Sequence, residues 1–155
     1  MIHTNTLVDS HPAFFAYAGI AAALVLSNAG AAYGTAKASI GIANAGFFHP
    51  DKIFRCLIPI IMAGILGIYG LIISVVLSDK TFSANGQMGF KVFAAGIMCG
   101  MSSLASGLAI GAAGEKLLNS LARTEAVFVP MLLTMIFAEA IGLFGLIMSI
   151  IVSTS

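Results

Sequence analysis

Residues 12–36, 56–78 and 92–114 of this chain contain no Asp, Glu, Lys or Arg, and the stretch from 126 to the last residue contains a single one, Glu139. Each run exceeds the ~20 residues that carry an α-helix across a ~30 Å hydrocarbon core. Only 8% of the 155 residues are charged, 59% are hydrophobic, and mean hydropathy is +1.05. A soluble domain cannot clothe its surface from such a composition. The expected fold is an all-α membrane protein with four transmembrane helices.

Proline, Asn-Gly and charges gather between the runs, in "FFHPD" (47–51), "SDKTFSANGQ" (78–87) and "GEKLLNSLARTE" (114–125). These breaks are short, so consecutive helices are expected to be antiparallel, with no extramembrane domain. The opening "MIHTNTLVDSHP" lacks a basic segment and a small-residue cleavage pattern, so the first run is expected to stay in the mature protein. Lys52, Arg55, Lys116 and Arg123 fall in the first and third breaks with Lys37 nearby, against Lys80 and Lys91 around the middle one. By the positive-inside rule, the first and third loops are expected in the cytoplasm and both termini on the far side.

The chain repeats itself. A shift of 75 lays "IMAGILGIYGLIIS" (61–74) over "IFAEAIGLFGLIMS" (136–149) with seven of fourteen positions identical. A shift of 77 lays 18–36 over 95–113, again with seven identities, among them Gly19 with Gly96, Gly30 with Gly107 and Gly34 with Gly111. The expected architecture is a tandem duplicated helical hairpin: a first repeat over 1–78, with spans at about 12–46 and 53–78, and a second over 79–155, with spans at about 86–120 and 126–152. Two spans per repeat give both copies the same orientation, unlike inverted-repeat transporters.

Small residues recur every three or four positions on the first span, at Gly19, Ala23, Ser27, Gly30, Gly34, Ala38, Gly41 and Ala45, and on the third at Gly96, Gly100, Ser103, Gly107, Gly111 and Gly114. Apolar helices in lipid associate through close backbone approach along such faces. The first and third spans are therefore expected inside a crowded assembly of copies, and the second and fourth outside it. Gly19, Gly30, Gly34, Gly96, Gly100, Gly107 and Gly111 are the expected packing glycines.

Glu139 has Met135, Ile136, Gly142 and Leu143 as helical neighbours, none of them a donor or a cation. Burial in lipid disfavours its ionised form, so it is expected to cross lipid neutral and to ionise only beside water or a positive charge. A mid-membrane ionisable residue is a functional candidate by default. In the first repeat the matching position is Gly64, so two hairpins share one carboxylate. A sodium site calls for several oxygen ligands, whereas the aligned helix offers Ala63, Gly64 and Ile65; a proton is the expected ion.

Other chemistry is excluded by what the sequence carries. Net charge is +1 with no basic stripe, so no nucleic-acid partner is expected. Cys56 and Cys99 lie at or within spans and are expected to pack. His3, His11 and His49 have no metal-ligand spacing, and no metal or cofactor is expected. There is no phosphate-binding loop, nucleophile elbow or dinucleotide fingerprint, so no catalytic residue is assigned. Glu115, Lys116, Arg123 and Glu125 are expected as a solvated face on which a peripheral partner can dock. A small four-helix proton-coupled exporter would also use a membrane glutamate, but it needs a roomy aromatic-lined pocket; a channel would need a polar stripe, and the spans hold only scattered Ser and Thr.

The stretches "GAAYGTAK" (30–37), "IPIIMAGILGIYGLIISV" (58–75), "SGLAIGAAGE" (106–115) and "IFAEAIGLFGLI" (136–147) together resemble the c-type proteolipid family of vacuolar-type proton ATPases (V-ATPases), over about 14–151. The resemblance implies a ring of copies and related proteolipids, turning against the a-subunit of a stator and carrying a central stalk on its cytoplasmic loops. It implies that Glu139 is the carboxyl that takes up and releases H+, that ATP is hydrolysed in other subunits, and that both termini are lumenal in a vacuolar or other acidic endomembrane. Tyr69 and Phe137 lie in these motifs and are expected to pack rather than take part in the chemistry.

Overall fold

The computed structural model describes residues 5–81 and 86–154; His3 and the centre of the middle break lie outside them. The order is α1 (Asn5–Phe48), a 3-10 turn (Pro50–Lys52), α2 (Ile53–Cys56), α3 (Ile58–Thr81), α4 (Gly86–Leu121), a second 3-10 turn (Glu125–Val127) and α5 (Phe128–Thr154). Among the described residues four helical stretches are long and apolar enough to span a membrane: His11–Phe48, Ile53–Lys80, Gln87–Leu121 and Glu125–Thr154. No strand occurs among the described residues.

Local chemistry sets the helix starts. Pro59 and Pro130 sit in the first turns of α3 and α5, where a backbone N–H would have no partner inside the helix. The first spanning stretch begins at His11, close to the expected start at about 12, while the helix itself runs back through Pro12 to Asn5. α4 continues past Gly114 to Leu121, close to the expected end at about 120, and Leu117, Leu118 and Leu121 prolong its apolar face. Glu115 and Lys116 therefore stand on a helix, not in a loop, and Glu115 pairs with Lys37 of α1 at 3.1 Å. At 1.5 Å per residue, the 44 residues of α1 extend about 66 Å and the 36 of α4 about 54 Å, so both project beyond a ~30 Å core.

α1 and α4 lie together along their small faces. A methyl group added at Gly19 would stand 2.7 Å from the Val92 carbonyl oxygen, and at Gly30 2.7 Å from that of Ser103. Added at Gly34 or Gly100 it would stand 2.9 Å from the Gly107 oxygen or 2.8 Å from the Ala22 oxygen, and at Gly111 3.0 Å from the Gly34 Cα. At Gly96 and Gly107 it would collide with the carbonyls of Gly19 and Gly30. Gly19 thus meets Gly96, Gly30 meets Gly107 and Gly34 meets Gly111, so positions equivalent in the repeat touch one another and the two hairpins stand at the same depth.

α3 and α5 lie against this pair. Their serines tie them down, since a hydroxyl in lipid seeks a carbonyl on its own or a neighbouring helix. Ser74 donates to the Gly70 carbonyl of its own helix at 2.7 Å and shares the proton with the Ile20 carbonyl of α1 at 3.2 Å, while its repeat partner Ser149 donates to the Ala95 carbonyl of α4 at 2.6 Å. Lys80 of α3 donates to the Ser153 carbonyl at the end of α5. Cys56 and Cys99 are buried, in separate apolar clusters, and form no disulfide.

Candidate functional site

Glu139 lies roughly 16 Å along α5 from Phe128, near the middle of a helix that just spans the bilayer. Three helices fix its surroundings. Ser106 of α4 donates to the Ala138 carbonyl at 2.6 Å, holding α5 to α4 beside the carboxylate. One turn on, Gly142 is covered by Leu66 of α3 and by Ser106, and a methyl group added there would stand 2.6 Å from the end of the Leu66 side chain, which would have to shift. From α3, the Tyr69 hydroxyl donates to Glu139 Oε1 at 3.1 Å.

That last contact corrects the reading of Tyr69 as a packing residue. The sequence points only to neighbours one turn away on the same helix; Tyr69 reaches the carboxylate from another helix, through the rotational setting of α3 against α5. A signal was available in the repeat, where Tyr69 aligns with Phe144: the hydroxyl is the one chemical difference between them. Phe137, also expected to pack, is 69% exposed and faces outward.

Glu139 and Tyr69 line a recess of about 230 Å³ with Met62, Ile136, Ala140 and Leu143. It lies between the outer helices α3 and α5, where Ile136 and Leu143 are 44% and 38% exposed. Apart from the carboxylate and the phenol its walls are apolar. The arrangement can hold one proton on a carboxyl and steady the carboxyl's orientation, and it offers few of the oxygens that a dehydrated metal cation needs. Among the described residues no group of three or more His, Cys, Asp or Glu is placed to hold a metal. A larger recess, about 480 Å³, lies far from Glu139 at the loop end, among Asn44, His49, Asn119 and Arg123.

Removing the Tyr69 hydroxyl tests its part. A typical hydrogen bond contributes about 0.5–1.5 kcal/mol, and about 1.36 kcal/mol is a factor of ten in rate. Tyr69→Phe is expected to leave chain abundance unchanged and to slow ion transport by up to about tenfold. An unchanged rate would make the phenol a bystander.

The seven packing glycines stand apart from this recess, along the α1–α4 contact. What the carboxylate serves is indicated by comparison with known proteins. The family model described as the ATP synthase C subunit matches the chain twice, over residues 18–77 and 93–152, one match per hairpin. The second 16 kDa proteolipid c-subunit of the V-type proton ATPase of Caenorhabditis elegans is 44% identical over 146 residues, covering 92% of this chain and 91% of the relative. The 16 kDa c-type proteolipid of the V-type proton ATPase of Ascaris suum matches at the same identity and coverage. The c'-subunit of the V-type proton ATPase of Neurospora crassa is 44% identical over 156 residues, covering 97% of this chain and 93% of the relative. With two matched hairpins and relatives aligned nearly end to end, the chain belongs to the ATP synthase C-subunit family and, within it, to the proteolipids of V-type proton ATPases.

Proposed function

We propose that the chain is a proton-carrying component of the rotor ring in the membrane sector of a vacuolar-type ATPase. The observation that carries the reading is a mid-membrane carboxylate, Glu139, set between the outer helices of a duplicated hairpin with a single hydroxyl from Tyr69 beside it. The chain itself catalyses no reaction; ATP is hydrolysed in other subunits, and the hydrolysis turns the ring.

Energetics make such a carboxyl a carrier. A charged side chain at the bilayer centre costs roughly 2.5–3.5 kcal/mol on insertion scales, so the lipid-facing part of the circuit is travelled neutral. The family resemblance implies an arginine on the stator's a-subunit, and a cation brought within ~4 Å of Glu139 would contribute roughly 4 kcal/mol to the ionised form at an effective dielectric of about 20. That offsets the cost only at the stator. Glu139 therefore releases its proton to one half-channel on arriving there and takes another from the second half-channel on leaving. In this reading the central stalk rests on the loops after α1 and α4, which face the cytoplasm, and both termini face the lumen of an acidic endomembrane compartment.

One carboxylate per two hairpins halves the protons moved per turn for a ring of given girth. At fixed ATP consumption per turn, each proton can then be driven up a steeper gradient, which suits a pump. The exporter alternative is not favoured: the recess at Glu139 is about 230 Å³ and Tyr69 is the one aromatic side chain on its wall.

The ion is tested by the medium. Vesicles carrying the complete complex are expected to acidify on ATP addition at full rate in nominally sodium-free buffer. A requirement for added Na+ would contradict proton carriage by this site.

A further inference from the structure

The recess at the loop end is walled by two amides, an imidazole and a guanidinium, and its depth in the bilayer gives that chemistry a use. Ser106 of α4, bonded to the Ala138 carbonyl, and Gly107, in contact with Gly30 of α1, mark the level of Glu139 on α4 and α1. At 1.5 Å per residue, Asn44 stands roughly 21 Å beyond Gly30 along α1, and Asn119 roughly 18 Å beyond Gly107 along α4. With Glu139 near the bilayer centre, the hydrocarbon ends roughly 15 Å from that level and the headgroups occupy the next ~6 Å. The recess, about 480 Å³ and lined by Asn44, Phe48, His49, Asn119, Ala122 and Arg123, therefore opens at headgroup depth.

Below it runs a groove between two stripes of side chains. On α4, Ser106, Ile110 and Gly114 meet α3 or α5, and Leu108, Glu115 and Asn119 share the opposite face. The stripe on α1 is Tyr33, Lys37, Ile40 and Asn44, at spacings of four and three. Lys37 bonds Glu115 at 3.1 Å, which sets the two stripes side by side and neutralises both charges. Tyr33, Ile40 and Leu108 are 40%, 47% and 44% exposed, so the groove offers apolar surface below and polar groups above. Among the described residues the side chains of Asn44, His49, Asn119 and Arg123 have no hydrogen bond or ion pair. Of the lining side chains Arg123 carries the permanent charge, and it is positive.

We infer that the recess binds the phosphate group of an anionic phospholipid from the leaflet at the loop end. The Arg123 guanidinium presents a planar fork of N–H donors that fits phosphate oxygens. The Asn44 and Asn119 amides and a ring nitrogen of His49 add further donors, and the acyl chains lie against Tyr33, Ile40 and Leu108. A basic pocket between transmembrane helices at headgroup depth is a recurring way of holding such lipids. Free phosphate would use the recess but leave the apolar groove beneath it bare, and a peripheral protein meets the loops farther from the bilayer centre. The site lies apart from Glu139, so its test is read from lipid and not from proton transport.

The complete complex is mixed in detergent with phosphatidylcholine and a trace of phosphatidic acid bearing a diazirine on the acyl carbons nearest the glycerol, formed into vesicles, illuminated and digested. Peptides from 33–48 and 108–123 are expected to carry several times the label left by a phosphatidylcholine of the same design. Unlabelled phosphatidic acid is expected to displace that label, and inorganic phosphate is not. Arg123→Gln is expected to cut labelling per chain about fivefold, the attraction of one cation near the headgroups. Asn119→Asp, which sets a like charge beside the phosphate, is expected to cut it at least as far. Arg55→Gln removes a cation at the same end that lies over the Phe128 ring, outside the groove, and labelling should persist. Equal labelling by the two lipids, displacement by inorganic phosphate, or the same fall with Arg55→Gln as with Arg123→Gln overturns the inference. So does a groove left unlabelled in the complete complex, the result expected where a protein subunit covers it.

Discussion

Gly107→Leu is expected to remove most of the assembled protein. A side chain at this position would enter the carbonyl group of Gly30, and even the Gly30 Cα lies 2.7 Å from where a Cβ would be. The obstacle is backbone on a long helix that also meets α3 and runs close to α4 at Gly19, Gly34 and Gly41, so no local rotamer change relieves it. Overpacking costs up to about 3 kcal/mol even where neighbours can adjust, and a cost of that size corresponds to a loss of roughly 100-fold in the equilibrium between the folded chain, competent to assemble, and the unfolded one. The measurement is the amount of chain recovered as large oligomer after mild detergent extraction, relative to wild type. Gly46→Ala is the matched control: its new methyl would lie 3.3 Å from the end of Ile53, a side chain able to move, and oligomer yield should be unchanged. Wild-type yield from Gly107→Leu would show that the α1–α4 seam is not needed for assembly.

Much of the fold was legible because a membrane simplifies the problem. Long uncharged runs admit little besides helices, short breaks force antiparallel neighbours, and the identities at Gly19/Gly96 and Gly30/Gly107 show two hairpins of like orientation. Glu139 was legible for the same reason, as one carboxylate in an otherwise uncharged span. What sequence left hidden depends on how one helix is rotated against another. Tyr69 is remote from Glu139 in the chain and becomes its partner only when α3 turns the phenol toward α5. Ser74 and Ser149 were visible as a repeated identity, but their carbonyl partners on α1 and α4 were not. The expected spans of about 12–46 and 86–120 lie close to the spanning stretches His11–Phe48 and Gln87–Leu121; what local signals hid is that α1 itself runs back past Pro12 to Asn5 and that Glu115, expected in a loop, stands on α4 beside Lys37.

Glu139→Gln carries the largest functional effect. Glutamine matches glutamate in length and shape and keeps an oxygen that can accept from the Tyr69 hydroxyl, so packing against α3 and the 2.6 Å bond from Ser106 to the Ala138 carbonyl should persist. What it loses is the ability to bind and release a proton. Chain abundance and oligomer size are expected to match wild type, which distinguishes this variant from Gly107→Leu. A neutral amide crosses lipid as readily as a protonated carboxyl, but it cannot ionise, so on the proposed reading a ring carrying this variant has no proton to deliver. The decisive measurement is ATP-driven acidification of vesicles whose complexes carry Glu139→Gln in every copy of the chain. Proton carriage by Glu139 predicts a pH gradient no larger than that of vesicles without ATP, from complexes present at wild-type level; a gradient formed at the wild-type rate would contradict it.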